Sequence, residues 1–316
     1  MSMTSRNKTG ATCLTVTEQH AGRRIDNVLS SHYRDVPRGR IYQMIRKGEV
    51  RVNSKRVKQD YRLQLADAIR LPPVFKNVTP KKPAPPAGLL EDLAERIIYQ
   101  DTGMLVLNKP AGLAVHSGSR QSFGIIEAMR ELLPEEEHLE LVHRLDKETS
   151  GCLLLAKNHP VLRELQEIFR RKRVHKEYLA LLKGPLQKKQ LEVDLRLARA
   201  GSQTGDRSVK VSGEGKVSRT LFIRQRNYSN SSLVRAVIET GRTHQIRAHA
   251  AHIGHPVAGD RKYGDYEFNR KMKKEGLKRM FLHAETITLP LAGKQKKFTI
   301  SASLPDELAR FLDRHR

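Results

Sequence analysis

A single carboxylate, Asp146, stands between Arg144 and Lys147 in the stretch VHRLDKETSG (residues 142–151), just before an apolar run that starts at Cys152. Neighbouring cations favour the charged form of an acid, so Asp146 suits the role of base or nucleophile and is a poor proton donor. Taken alone, the pattern also fits a salt-bridged aspartate in a turn. If the stretch is extended, Arg144 and Asp146 share a face, because side chains two apart on a strand point the same way. A second group with chemical potential is His249, His252 and His255 at three-residue spacing, in a helix that Pro256 would end. No cysteine lies near them and no HExxH pair supplies a base, so solvated or RNA-facing histidines are expected and a metal site is not. The chain has no GxxxxGK phosphate loop and no GxGxxG after a strand.

The surrounding composition gives these groups a direction. The chain of 316 residues holds 59 Lys and Arg against 34 Asp and Glu, a formal charge of +25, which favours a polyanionic partner. Nucleic acid and an anionic membrane both meet that description. No run approaches the roughly 18 apolar residues of a spanning helix, and residues 1–24 are polar, so a soluble cytoplasmic protein is expected. Of the two cysteines, Cys13 falls in the N-terminal stretch and Cys152 in an apolar strand, which does not suggest a disulfide framework.

Residues 71–88, LPPVFKNVTPKKPAPPAG, contain six of the fourteen prolines and little apolar periodicity. Such sequence prefers an extended path and acts as a semi-rigid spacer. Three parts follow: a small domain at 18–75, a linker at 76–88 and a larger domain at 89–316. Charge is unevenly shared, with 16 basic and 6 acidic residues in 1–80 against 8 and 12 in 81–150. The acids at 131–140, interrupted by Pro134, read as a solvated loop or helix end.

In the small domain, residues 24–29 and 40–47 space their apolar side chains as two short amphipathic helices would, and Gly48 closes the second. Val50, Val52 and Val57, then Leu63, Leu65 and Ile69 around Asp67, predict short strands and turns. Arg38, Arg40, Arg46, Lys47, Arg51, Lys55 and Arg56 crowd this unit with few balancing acids, as an RNA-binding surface would. Residues 20–75 resemble the S4 RNA-binding domain, a helical hairpin with a β-extension that grips structured RNA.

The larger domain opens with strand-like runs at 96–101 and 104–110 around a turn at Asp101-Thr102-Gly103. Residues 152–156 form a further buried strand. Leu162, Leu165, Ile168 and Phe169 then mark an amphipathic helix with Pro160 in its first turn, and residues 178–182 resume as strand. Strands and helices mix without βαβ alternation, so the expected class is α+β.

Four stretches of this domain, LNKPAGLAVH (107–116), VHRLDKETSG (142–151), HKEYLALLKG (175–184) and TGRTHQIRAH (240–249), together resemble the RluA-type family of pseudouridine synthases. The resemblance implies a mixed, largely antiparallel sheet and an isomerisation in which uracil leaves C1′ of its ribose, turns and rejoins through carbon. That change conserves atoms and requires no cofactor or metal. It implies that Asp146 is the essential carboxylate, attacking the nucleoside or taking a ribose proton, and that Arg247 pairs with it across the cleft; the alternative for Arg247 is an RNA phosphate. Tyr178 matches the family's active-site tyrosine, able to stack on the base, where a strand tyrosine is otherwise core. Ile246 would pack on the base from the other side, and Arg144 with His143 would hold the flipped nucleotide or fill its vacated place. Arg242 and Thr243 would open the helix carrying Arg247, where a phosphate could meet free backbone N–H groups. Lys109 and Pro110 fit a rigid strand end beside the cleft, with an RNA contact by Lys109 as the other possibility.

The function implied is conversion of uridine to pseudouridine in large-subunit (23S) ribosomal RNA by a monomeric enzyme. The alternatives are a synthase of the same family acting on other ribosomal or transfer RNA uridines, a non-catalytic RNA-binding assembly factor, and a metal-dependent RNA hydrolase. Charge and the S4-like module suit the enzyme and the non-catalytic binder equally. A pure binder has no use for a buried carboxylate that repels phosphate, and a metal hydrolase would need a carboxylate-rich ligand set.

Overall fold

A computed structural model describes residues 12–33, 36–72, 85–117, 123–200, 208–291 and 297–315. The chain divides into two compact units, 1–84 and 85–316. Most of the Pro-rich linker lies outside the described residues.

The first unit comprises β1 (Thr12–Thr15), α1 (Ile25–His32), α2 (Arg38–Lys47), β2 (Arg51–Val52) and β3 (Ala68–Leu71), with β3 central in an antiparallel sheet of order β1-β3-β2. The helical spacing seals Ile25, Val28 and Leu29 of α1 against Ile41, Met44 and Ile45 of α2, each no more than 2% exposed. Gly48 ends α2 at φ 72°, a left-handed cap that glycine adopts without steric penalty. Of the short strands and turns expected here, the strands are β2 and β3, and the stretch between them turns: Leu63 is buried, Leu65 is 60% exposed, and Ala66 turns the chain at φ 67°. The turn is held by buried Asp67, which accepts from Gln64 N, Asn53 Nδ2 and Tyr61 Oη at 2.8–3.1 Å.

The second unit runs α3 (Ala87–Glu95), β4 (Ile97–Gln100), β5 (Met104–Lys109), α4 (Ile125–Leu132), β6 (Glu140–Leu141), β7 (Ser150–Ala156), α5 (His159–Arg170), β8 (His175–Lys183), β9 (Gln190–Ala200), β10 (Ser208–Val211), β11 (Lys216–Asn227), β12 (Ser231–Ile238), α6 (Gln245–His252), α7 (Tyr266–Lys274), β13 (Leu282–Leu289), β14 (Phe298–Ser301) and α8 (Asp306–Arg314). Its sheet follows the order β10-β9-β11-β12-β8-β13-β7-β5-β4, with β14 added to β13 and β6 to β7. Among the described strands only β13 and β7 pair in parallel, so the class is α+β with a mixed, largely antiparallel sheet. Helix α3 begins inside the segment expected to be linker. Pro86 precedes its first turn, where a missing N–H does no harm, and Leu93 is fully buried.

Period-two alternation builds the core on both faces of this sheet. Leu105 and Leu107 of β5 and Leu153 and Leu155 of β7 join one cluster, while Met104, Val106, Cys152, Leu154 and Ala156 join another. The β4–β5 turn is tied by Asp101 Oδ1, which accepts from the amides of Gly103 and Met104 at 2.8 Å each. Asn158 caps α5 by accepting from Val161 N, with Pro160 in the first turn. No helix among the described residues is long and apolar enough to cross a membrane.

Gly151, five residues past Asp146, sits at φ 110° where β7 pairs with β13, and a Cβ there would lie 2.2 Å from the Ala284 carbonyl oxygen. Backbone cannot yield as a flexible side chain would. Gly151→Ala should therefore lower the unfolding free energy by roughly 2–4 kcal/mol, combining left-handed strain with overpacking. Urea unfolding would show it; an unchanged midpoint would mean that the two strands are not so closely apposed.

Candidate active site

Asp146 lies in the irregular stretch 142–149 between β6 and β7, and its position is imposed from both ends. Val142 N donates to Leu154 O at 3.0 Å, and Thr149 N closes a turn on the Asp146 carbonyl at 3.1 Å. Leu145 is buried in the core cluster below, which turns the neighbouring Arg144 outward and leaves the Asp146 carboxylate 25% exposed. Lys109 supports this stretch from behind. Its ammonium is fully buried and donates to the carbonyls of Pro110, Leu113 and Lys147 at 2.8, 2.8 and 3.1 Å. Burial lowers its pKa to about 7, with Glu148 and Asp146 pulling it up, and three carbonyls matching three ammonium protons mark the charged form as the one the site is built for. Lys109 is thus a structural support, and an RNA contact is closed to it.

Opposite stands α6. Every residue from Gln245 to Ala250 is buried, so the helix shows no polar stripe and is fixed by hydrogen bonds inside the protein. Gln245 accepts from Thr240 Oγ1 and Arg242 N and donates to Arg219 O and Thr220 Oγ1. The helix starts at Gln245 rather than at Arg242, and His244 enters it at φ 52°. Because the Arg242 amide is already used by Gln245, it is not a free N–H for a phosphate. His249 is not RNA-facing either: it is fully buried, hydrogen-bonded to Ser218 Oγ at 2.9 Å and Thr220 Oγ1 at 3.0 Å, and burial lowers its pKa to about 4. His255 is half-buried on the Lys183 carbonyl, and only His252 is exposed. Among the described residues no group of three metal-ligating side chains converges.

Arg247 links the two sides. Its Nη1 donates to Asp146 Oδ2 at 3.1 Å, while Nε and Nη2 grip Asp260 at 2.7 and 2.9 Å. The guanidinium lies over the Tyr263 ring, 5.1 Å from its centroid. At 7% exposure with both edges engaged, Arg247 has no capacity left for a phosphate. Burial works against its charge, but the two carboxylates more than offset this and raise its pKa. Asp260 is 1% exposed. Burial pushes its carboxyl up, yet Arg247 and the amides of Lys262 and Tyr263 at 2.8 and 3.1 Å hold it below the usual carboxylate range. The partner of Asp146 is this distant arginine; flanking Arg144 forms no ion pair among the described residues.

Asp260 and Tyr263 were not read from the sequence, although Asp260 carries the same signal as Asp146, a lone acid beside basic residues in GDRKYG. Tyr263 Oη accepts from Val209 N and shares a hydrogen bond of 2.9 Å with His244 Nδ1, which leaves His244 Nε2 3.8 Å from Asp146 Oδ2. Burial lowers the His244 pKa, with the Asp146 charge opposing.

An inner recess of about 70 Å³ is lined by Asp146, Tyr178, Ile246, Arg247 and His244, and it continues into an outer cleft of about 1240 Å³. Tyr178 sits on β8 at the seam of two core clusters, half-buried, and its hydroxyl has no hydrogen-bond partner among the described residues. Burial, and then the Asp146 charge, raise its pKa, so the phenol keeps its proton. Ile246 is 4% exposed and backs the recess. Arg144, Lys147, Arg170, Lys172, Lys176 and Arg242 line the outer cleft against two acids, Asp146 and Glu239. His143 also lines it, but as a neutral ring: burial lowers its pKa to about 3, Nε2 accepts from Leu154 N, and it stacks on Phe169 at 5.0 Å. It can fill space or stack, and cannot bind phosphate as a cation.

In the first unit, Arg38, Arg46, Lys47 and Lys55 are exposed, whereas Arg51 is half-buried on the carbonyls of Gly48 and Ser54. Arg40 is paired with Glu49 at 2.7 Å, so one of the expected excess charges is balanced. Both cysteines are free thiols.

The sequence profile described as RNA pseudouridylate synthase matches residues 103–252, and that of the S4 domain matches 23–69. The chain is 47% identical over 305 residues to a Haemophilus ducreyi protein named ribosomal large subunit pseudouridine synthase C, covering 96% of this chain and 95% of that one. It is 45% identical over 304 residues to the Escherichia coli K12 protein of the same name, with 95% of each covered. Among solved structures it is similar to human RNA pseudouridylate synthase domain containing 4, with a TM-score of 0.60 and 28% identity over 72% of this chain and 95% of that one.

Proposed function

We propose, since this chain belongs to the RNA pseudouridylate synthase family, that it isomerises uridine to pseudouridine in large-subunit ribosomal RNA. The observation that carries this reading is Arg247, a buried guanidinium clamped by Asp260 and presenting its remaining edge to Asp146 beside the Tyr178 recess. The target uridine must leave its stack, which costs a few kcal/mol, and the basic rim of the cleft can repay part of that through backbone contacts. Arg144 and Arg242 are the rim residues assigned to hold the extruded nucleotide, with His143 as a neutral ring beside it.

In the recess, Asp146 acts on the sugar, as a nucleophile at C1′ or as a base toward the ribose, while the C1′–N1 bond breaks. Tyr178 and Ile246 confine the freed uracil as it turns. As the new C1′–C5 bond forms, the Asp146–C1′ bond breaks on the nucleophilic route, or the ribose takes its proton back from Asp146 on the basic one; C5 then loses its proton and N1 gains one, so the atoms balance without cofactor or metal. The protonated Tyr178 phenol can contribute a ring face and a hydrogen-bond donor; it becomes a base toward the C5 proton only by first giving up its own. The purified protein should release tritium from C5-labelled uridine in large-subunit ribosomal RNA. No release from that RNA would overturn the assignment.

The first unit is assigned as the gripping module, with Arg38, Arg40, Arg46, Lys47, Arg51 and Lys55 as its RNA-facing set, and the whole is read as a cytoplasmic monomer. Changing Lys47, Arg51 and Lys55 together to Gln should weaken RNA binding about tenfold or more at moderate salt. The slope of log affinity against log salt should shrink by about 2 to 3. Turnover of saturating RNA should be retained. Affinity indifferent to the triple change would remove the gripping role.

A further inference from the structure

Two lysines of the second unit are almost equally buried, and the protein treats them oppositely. Lys109, at 0% exposure, is given three carbonyl acceptors. Lys176, at 9%, is given none: among the described residues its Nζ makes no hydrogen bond or ion pair, and it stands over the Phe169 ring, 5.9 Å from the centroid. Acids that could have served it are committed elsewhere. Glu177 is hydrogen-bonded to His175 and ion-paired with Arg235, and Glu239 pairs with Arg219. A mostly buried ammonium that the fold gives no acceptor, and whose tip opens on the cleft, leaves its hydrogen bonds to water or to an anion that displaces it.

The Lys176 side chain lines the outer cleft, so that partner can reach it. It precedes Tyr178 by two residues on β8, and the two therefore point to the same face, roughly 7 Å apart along the strand. Gly241 borders the ammonium, and even a Cβ there would reach only ordinary contact with Nζ at 3.8 Å, so this position does not obstruct the approach. His143 beside it is neutral, so it adds no competing charge. Burial lowers the Lys176 pKa to about 8, and an arriving anion would reverse that desolvation penalty.

We propose that Lys176 Nζ is the seat for one phosphodiester of the RNA backbone flanking the extruded uridine, placed so that a base lying on Tyr178 brings its own phosphate to the ammonium. The proposal rests on the function given above and adds the group that anchors the nucleotide from its backbone side. Lys176 is a binding residue in this scheme, separate from the Asp146 chemistry.

The test uses the full-length protein and a large-subunit RNA fragment containing a uridine that it modifies, with a neutral methylphosphonate placed on the 5′ or the 3′ side of that uridine. One of the two neutral linkages should weaken binding roughly 10- to 100-fold, the range of a charge-assisted hydrogen bond. Lys176→Met should cause a loss of the same size on native RNA and shrink the salt slope by about one, and Lys176→Arg should restore most of it. Combining Lys176→Met with the sensitive linkage should cost nothing more, because the two changes remove one contact. Additive losses, or wild-type affinity unaffected by either neutral linkage, would overturn the seat; the second result requires no variant and is immune to misfolding. If the wild-type protein releases tritium from no large-subunit RNA, the function falls and the seat with it, whereas an active enzyme with additive losses condemns the seat alone.

Discussion

Asp146→Asn should lower tritium release from C5-labelled RNA by about 10⁴-fold or more while changing RNA affinity little. The scale is that of removing a carboxylate that takes part in bond making or proton transfer. The substitution preserves size, and the amide oxygen can still accept from Arg247 Nη1, which now donates at 3.1 Å. Arg247 itself stays clamped, since its Nε and Nη2 bonds to Asp260 are untouched. The loss should therefore appear in turnover and spare the fold. Removing a negative charge from a cleft rimmed by Arg144, Lys147 and Lys176 cannot weaken the attraction for phosphate. Comparable release by the variant would show that the carboxylate is not the reacting group and that its pairing with Arg247 is structural.

Asp260→Asn should act by a different route, because the Asp260 side chain is at 0% exposure and cannot meet RNA. Its two oxygens take two guanidinium bonds and two backbone amides, and the amide that replaces it supplies one acceptor where two are needed. Arg247 would be left buried with half its compensation, a class of change that destabilises by about 3–5 kcal/mol when the partner is lost outright. A guanidinium free to shift by an ångström also misdirects Asp146, so kcat should fall roughly 100-fold with KM little altered. The sign of the pH effect follows from the lowered Asp260 pKa. A carboxyl held below its unfolded value stabilises the native state above the ordinary carboxylate range, and that stabilisation is lost as pH falls through the folded value. The variant lacks this contribution, so its unfolding free energy should decline less steeply between neutral and acid pH. A variant with wild-type acid sensitivity and wild-type kcat would mean that Arg247 is positioned without Asp260.

How far the sequence could be read depended on whether each element announces itself locally. Strands β5, β7 and β8 were legible because buried strands are short apolar runs, and α5 because one face is apolar and the other charged. Helix α6 carries no stripe since residues 245–250 are covered on every side, and the histidine spacing there suggested exposure where the fold has His249 bonded inside and only His252 exposed. Helix α3 was hidden by the prolines before it. In the first unit, the spacing around Asp67 predicted strands and turns without saying which was which, and hydrogen bonds to Asp67 decide it by holding residues 61–67 as a turn.

The residue types and their local order determined by themselves that this chain has a small basic domain, an α+β body and an acid set between cations at position 146. Those properties follow from composition, periodicity and motif, which act over a few residues at a time. Only the tertiary structure decided which cation holds that acid, since Arg247 lies 101 residues further on and reaches it through a helix packed among the strands. It also decided the different situations of Lys109 and Lys176. A lysine's role depends on how many acceptors surround its ammonium, and those acceptors come from backbone that is distant in sequence and close only after folding.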